Sequence, residues 1–365
     1  MTDLSPLPQG STIGILGGGQ LGRMLALAAA RLGMKTHIFC PDPQSPAFDV
    51  TPYRTVAEYT DQDALAAFAD AVDVVTYEFE NVPVETAEFI ASRCPLRPGT
   101  RALAVAQDRL AEKTFLSEHN IPITPYRAVH TEADLDRAGT ELGFPGVLKT
   151  TRLGYDGKGQ RTVSSPEDAR SAFADLEPKP LVFEGFVSFD KEISVVGARD
   201  ASGRVRCFEP AENLHQNHIL KTSTVPAGIS PALAKHAVMA TTAILVALDY
   251  VGVIGVEFFV ASRDGRPALL VNEIAPRVHN SGHWTEAVCI TDQFEQHIRA
   301  ICGWPLGDTT RLADVVMENL LGEEIHRLEE HLPATRVHSY GKREARFGRK
   351  MGHINRVIKN GQRND

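Results

Sequence analysis

Sulfur offers this sequence little. Its five cysteines, Cys40, Cys94, Cys207, Cys289 and Cys302, are odd in number, widely scattered and free of any C-x-x-C pair. That spacing excludes a disulfide framework and gives no cysteine zinc site, and it points to a reducing, cytoplasmic compartment. Long apolar runs are missing too: no stretch comes near the roughly 18 residues of a membrane-spanning helix. The opening MTDLSPLPQG lacks the basic and apolar regions of a signal peptide. Positive charge is in deficit, with a net charge of −8, which disfavours a polyanion as main partner. The exception is 341–363, where Lys342, Arg343, Arg346, Arg349, Lys350, Arg356, Lys359 and Arg363 face one acid, Glu344. No aromatics interleave them, so single-stranded nucleic acid is not expected, and alone the segment reads as a solvated basic tail. Internal repeats and low-complexity segments are also lacking.

What is present is a chain of 365 residues, enough for two or three domains. Its first hundred residues alternate strand (12–16, 35–39, 72–76) and helix (about 20–32, 62–70), the pattern of a parallel sheet. A Pro-rich break at 94–99, a helical run from Ala102 to Glu118 and the sequence Ile121-Pro-Ile-Thr-Pro125 mark a boundary. From 126 to about 190 the spacing predicts a compact α+β unit: strand 146–150, glycine loop 154–159, strand 161–163, helix 166–176, strand 181–187. Beyond it come strands 192–198 and 204–209, a helix over about 231–248, and two apolar strands, 253–260 and 268–274, joined by a hairpin turn at 262–266.

The first strand leads into Gly17-Gly-Gly-Gln-Leu-Gly22, which fits the dinucleotide fingerprint, and Asp42 lies where a ribose-binding acid is expected. On these residues alone a nicotinamide enzyme is one reading. Glu257 and Glu273 stand equidistant from Gly265, so a hairpin centred there would set them opposite each other on one side of the sheet. Facing carboxylates destabilise a hairpin unless a cation compensates, and oxygen ligands suit Mg2+; an exposed polar edge is the alternative. The loop Gly154-Tyr-Asp-Gly-Lys-Gly-Gln160 could turn its N–H groups to an anion, though no Gly-Lys-Ser/Thr occurs, and Lys149 upstream requires an anionic partner if buried. Ala275-Pro-Arg-Val-His-Asn-Ser-Gly-His-Trp284 gathers Arg277, His279, Asn280, Ser281 and His283 after the second glutamate strand, the polar density of an active-site loop.

Taken together, GGGQLGRM at 17–24, DRLAEK at 108–113, GYDGKGQ at 154–160, the two glutamate strands, APRVHNSGHW at 275–284 and GRKMGHIN at 348–355 resemble the ATP-grasp superfamily, and within it the 5-(carboxyamino)imidazole ribonucleotide synthases. The resemblance covers nearly the whole chain. It implies an α/β and α+β architecture: a Rossmann-like parallel-sheet domain (1–118), a small lid subdomain (119–190) and a larger C-terminal subdomain with the basic segment (191–365). It implies that ATP contacts Arg109, Lys149, Gly154, Tyr155, Asp156, Gly157, Lys158, Gly159, Gln160, Glu184, Gly185, Phe186, Val187, Glu192, His215, Asn272 and Glu273. Within that set Glu184 and Val187 would meet the adenine edge, Glu192 the ribose and Lys149 the phosphates. Glu257 and Glu273 would hold Mg2+. The ribonucleotide would touch Gln20, Leu21, Glu78, Tyr155, Asn280 and Ser281, with its 5′-phosphate on Lys342, Arg349 and Lys350. Arg277 would serve bicarbonate and carboxyphosphate, Lys149 would help neutralise the charge of the γ-phosphate during transfer, and His279 and Asp156 would lie near the reacting amine.

On this resemblance the expected activity is ATP- and bicarbonate-dependent carboxylation of 5-aminoimidazole ribonucleotide by a cytoplasmic homodimer, with no nicotinamide, zinc, nucleic acid or membrane involved. Rival readings are a formate-using glycinamide ribonucleotide ligase, a biotin-dependent carboxylase, the nicotinamide oxidoreductase and a non-catalytic nucleotide-binding relative.

Overall fold

The structure is a computed structural model describing residues 5–152, 154, 158–263, 266–333 and 335–358. Among these, strands form three sheets. The first is parallel, in the order Tyr53–Thr55, Lys35–Phe39, Thr12–Leu16, Val74–Tyr77. The strands Thr12–Leu16 and Val74–Tyr77 are buried along nearly their whole length, as in a parallel sheet covered on both faces. The short strand Tyr53–Thr55 carries no apolar alternation and was not expected, and the strand placed at 72–76 begins at Val74 and runs to Tyr77.

The helical run 102–118 is two helices, Thr100–Gln107 and Arg109–Glu118. Asp108 divides them: its backbone is extended and its carboxylate accepts from the N–H groups of Leu110 and Ala111. An aspartate that caps so well starts a new helix instead of continuing the old one.

A four-stranded antiparallel sheet follows, ordered Tyr126–Val129, Leu181–Gly185, Gly146–Thr150, Gln160–Val163, with helices Glu132–Leu142 and Pro166–Asp175 against it. The third sheet has nine strands. The long strands Phe189–Arg199, Gly252–Arg263 and Arg266–Ala275 form one side, and Asp314–Leu321, Arg336–Ser339 and Lys350–Ile358 the other. The basic segment is therefore no solvated tail over 350–358: it is a strand paired on both sides, with His353 and Ile354 fully buried. Its apolar positions, Met351, Ile354 and Val357, are too diluted by charge to show a period of two.

One histidine joins the first sheet to the third. Val253 N–H donates to His297 Nδ1 at 3.1 Å, so the proton sits on Nε2, which donates to Thr76 Oγ1 at 2.8 Å. Burial drives the His297 pKa down to about 3, keeping the ring neutral in this tautomer. The Rossmann-like sheet and the large sheet also share one apolar core, from Ile13 and Ile38 to Val253 and Ile298.

Candidate functional site

A cavity of about 550 Å³ lies among the three sheets, within the size range of nucleotide and drug-like ligand sites. From the small sheet it receives Lys149, Gln160 and Glu184, from the large sheet Glu192, His215, Glu257, Asn272, Glu273 and Lys350, from the start of the helix Arg109–Glu118 the side chain of Arg109, and from the segment after Ala275 those of Arg277 and His279. Gly154, Gly185, Phe186 and Val187 also line it.

Glu257 and Glu273 are register partners. Symmetry about Gly265 does not produce the match. The paired positions from Arg263↔Arg266 to Phe258↔Val271 sum to 529, which would set Glu257 against Asn272. A bulge between Glu257 and Phe258 then shifts the register by one and brings Glu273 across. Burial, then repulsion from Glu273, pushes the Glu257 carboxyl up to about 7. Two carboxylates brought together at the cavity wall, Glu257 half-buried and Glu273 open to the cavity, fit a hard divalent cation. On the next strand, Ser194 pairs with Glu257.

At the opposite wall Glu184 sits between two lysines, Lys149 Nζ at 3.0 Å and Lys113 Nζ at 3.1 Å. Burial alone would raise the Glu184 carboxyl, but the two ammonium groups outweigh it and hold it at about 2. Lys149 is lowered, by burial foremost. Lys113 is almost completely buried, and the sequence reading passed over it because only its place one helical turn past Arg109 hinted at a site role. Arg109 donates from Nη2 to Gly154 O at 3.1 Å, and a Cβ at Gly154 would lie 2.9 Å from the backbone carbonyl oxygen of Lys158, so a side chain there would force the backbone to shift. Tyr155, Asp156 and Gly157 lie outside the described residues.

Glu112, on the same helix as Lys113, accepts from Ile274 N–H at 3.0 Å, next to Glu273. Burial, chiefly, raises its carboxyl to about 8, so near neutral pH it is an uncharged acid bracing the glutamate strand. Because the folded pKa exceeds the ordinary value of 4.5, the stability it contributes is complete below pH 4.5 and is lost as pH rises towards 8. In EDTA, urea unfolding of Glu112→Gln should therefore gain on the parent by up to about 1.4 kcal/mol per pH unit across that window. Parallel profiles for the two proteins would refute this assignment.

Arg277 donates from Nε to Glu80 and from Nη1 to Val278 O. Glu80, which the sequence reading did not single out, is held below the usual carboxylate range by this guanidinium despite its burial. His279 has a fixed tautomer: Ser194 Oγ donates to Ser281 Oγ at 2.7 Å, and Ser281 meets His279 Nδ1 with its hydroxyl at 2.8 Å and its N–H at 3.4 Å. Nδ1 therefore accepts, and Nε2 carries the hydrogen 3.7 Å from Glu257. Burial holds the ring neutral. Ser281 is fully buried behind His279 instead of on the cavity surface, and the Asn280 amide, at the cavity edge, is paired reciprocally with Asn319 at 2.9 and 2.7 Å. His215 contacts Glu192; burial lowers its pKa, but Glu192 and Glu257 raise it further. Lys350 reaches the cavity, whereas Lys342 donates to Lys350 O at 2.7 Å and Arg349 to Glu344 O at 3.1 Å.

The first glycine turn already holds an anion. Glu78 accepts from Gly19 N–H at 2.6 Å and Gly22 N–H at 3.0 Å, the donors that a dinucleotide pyrophosphate would need. A Cβ at Gly19 would stand 2.6 Å from Glu78 Oε1, and Gly17, at φ +109°, would strike Glu78 as well. The glycines thus admit a carboxylate of the protein's own. Gly17→Ala should cost about 2–4 kcal/mol from backbone strain and overpacking; an unchanged melting temperature would contradict it. Gln20 and Leu21 begin the helix just beyond, Leu21 being buried.

A small antiparallel sheet closing on a large one, with a lysine on the first and facing glutamates on the second behind a parallel-sheet domain, defines an ATP-grasp enzyme. The ATP-grasp domain family matches residues 114–294, the ribonucleotide synthetase preATP-grasp domain 10–107, and the phosphoribosylaminoimidazole carboxylase C-terminal domain 315–363. Along 97% of its length the chain is 53% identical to the N5-carboxyaminoimidazole ribonucleotide synthase of Brucella melitensis, covering 98% of that protein. It superposes on the N5-carboxyaminoimidazole ribonucleotide synthetase of Thermus thermophilus with a TM-score of 0.88 at 44% identity, covering 95% of this chain and 93% of that one. The Aspergillus clavatus N5-carboxyaminoimidazole synthase in complex with ADP and 5-aminoimidazole ribonucleotide gives a TM-score of 0.89 at 31% identity, with 96% and 94% covered. The chain belongs to the N5-carboxyaminoimidazole ribonucleotide synthase family.

Proposed function

We propose that this chain carboxylates the exocyclic amine of 5-aminoimidazole ribonucleotide, consuming ATP and bicarbonate and releasing 5-(carboxyamino)imidazole ribonucleotide, ADP and phosphate. The observation that carries the reading is the convergence of Lys149 and the Glu257/Glu273 pair on one cavity that also contains Arg277 and Lys350. That donor set suits a nucleoside triphosphate and a second, anionic substrate. The family membership supports the same reaction. The boundaries 1–118, 119–190 and 191–365 are proposed for the three units.

In this reading Glu257 and Glu273 would hold Mg2+, which when bound would supply charge neutralisation for the phosphate oxygens. The remaining work falls to side chains. An arriving triphosphate competes with Glu184 for Lys149, and Lys113 stays behind on Glu184, so the hinge carboxylate keeps a buried partner while it meets the adenine edge. Phe186 and Val187 supply apolar surface for the base. Arg277, braced by Glu80, presents a guanidinium to bicarbonate and then to carboxyphosphate. Carboxyphosphate breaks down to CO2 beside the amine, and a closed glycine loop keeps water from it. The neutral His279, with its hydrogen on Nε2, is placed to donate a hydrogen bond, and its accepting nitrogen is occupied by Ser281. Proton removal from the amine is thereby left to another group. Lys350, with Lys342 and Arg349, is assigned to the 5′-phosphate.

The protein is proposed to act in the cytoplasm as a homodimer; no helix among the described residues is long and apolar enough to cross a membrane. The deciding experiment is bicarbonate-dependent ADP release measured with and without 5-aminoimidazole ribonucleotide. Stimulation by that ribonucleotide, but not by glycinamide ribonucleotide with formate, is expected. Release indifferent to bicarbonate would overturn the proposal.

A further inference from the structure

On the far side of the large sheet, three side chains that no role above uses converge. Glu286 lies on the short helix Thr285–Val288, His338 on strand Arg336–Ser339, and His353 on strand Lys350–Ile358. None of them lines the nucleotide cavity. Among the described residues they form the only group of three potential metal ligands whose donor atoms all lie within 4.8 Å of one another.

His338 Nδ1 and His353 Nε2 are each 3.8 Å from Glu286 Oε2. These distances are too long for hydrogen bonds, and both Glu286 Oε2 and His353 Nε2 are buried without a hydrogen-bond partner. Leaving two buried polar atoms unsatisfied and facing each other costs stability unless something fills the gap. The fully buried His353 is also already oriented as a ligand, since its Nδ1 is 2.9 Å from Tyr340 Oη. With the hydrogen on Nδ1 donated to that phenol, the Nε2 lone pair points at Glu286, as in metal-bound histidines, whose other ring nitrogen donates to an oxygen that fixes the ring.

We propose that Glu286, His338 and His353 form a second divalent-cation site that takes a zinc-class ion and is separate from the magnesium-binding carboxylates. Two imidazoles and one carboxylate select borderline-soft ions over Mg2+, which wants oxygen. The dimensions fit. A point equidistant from three atoms so spaced is about 2.5 Å or less from each, against about 2.0–2.2 Å in zinc sites, so a contraction of a few tenths of an ångström completes the triad. The rings of His338 and His353, register partners on neighbouring strands, are stacked 4.4 Å apart and 7° from parallel. Their lone pairs thus run side by side, and His338 must turn to bring Nδ1 onto the ion. It is the exposed member of the pair, with 29% of its side chain in solvent, so the turn requires no rearrangement of the core. A fourth position remains for water.

The test uses the full chain with excess MgADP, so that the nucleotide site is filled, and titrates zinc against a chromophoric chelator. The parent is expected to take up one equivalent more than His338→Ala and Glu286→Gln, each substitution weakening that equivalent by about 100-fold or more, since even outer-shell changes cost 10–100-fold. Zinc should raise the melting temperature of the parent and leave those of both variants unmoved, and His338→Ala should keep its basal turnover. Equal zinc uptake by all three proteins, or displacement of the extra equivalent by millimolar Mg2+, would overturn the proposal.

Discussion

Arg277→Ala is expected to lower bicarbonate-dependent ADP formation by about 100- to 1,000-fold, the range seen when one preorganised electrostatic donor is removed from an active site. Arg277 is held by Glu80 and by the carbonyl of Val278, so its guanidinium is fixed before substrate arrives. Bicarbonate is a weak nucleophile, and its attack on a heavily charged γ-phosphate depends on positioning and neutralisation. Removing the arginine also leaves Glu80, held below the usual carboxylate range by Arg277, without its countercharge, which adds a negative charge where anions must enter. Bicarbonate KM and kcat should both worsen, whereas ADP affinity, set by residues on the other wall, should hold within a few-fold. ADP formation at the parent rate would remove Arg277 from the reaction.

Glu273→Gln is expected to be at least as damaging, lowering ATP turnover by about 1,000-fold or more, with Glu257→Gln close behind. The same substitutions should slightly stabilise the apoprotein, because repulsion between the facing carboxylates is part of what pushes Glu257 up to about 7. Opposite signs for activity and stability distinguish a metal site from an ordinary structural pair. Melting temperatures in EDTA, read beside turnover in Mg2+, would show both effects. A variant that lost activity and stability together would indicate a merely structural role.

The parallel sheet, though not its strand order, the glycine turn and the two glutamate strands were legible because each rests on a local rule: apolar runs alternating with helices, glycine spacing and a short hairpin. The Glu257/Glu273 pairing was reached by a symmetry that the bulge replaces, and a bulge leaves no trace in an apolar sequence. Lys113 and Glu80 stayed hidden because their importance comes from partners 71 and 197 positions away, Glu184 and Arg277, and long-range ion pairs have no period. The strand Lys350–Ile358 was obscured by its charges, which face the cavity edge and Glu318 at its two ends while the run 351–355 between them is buried. Ser281 reads as a site residue from its neighbours, yet its hydroxyl is spent on a histidine two residues earlier.

The carboxylate of Glu78 in the first glycine turn has a consequence for how this fold meets small anions. A helix start usually behaves as an open electrostatic socket, ready for sulfate, phosphate or a cofactor tail. Here the socket carries a tethered plug, whose effective concentration is set by the fold and whose buried contacts are little screened by added salt. The N–H groups of Gly19 and Gly22 are thereby closed to diffusible anions, and the glycine turn serves as a brace between the first strand and Glu78.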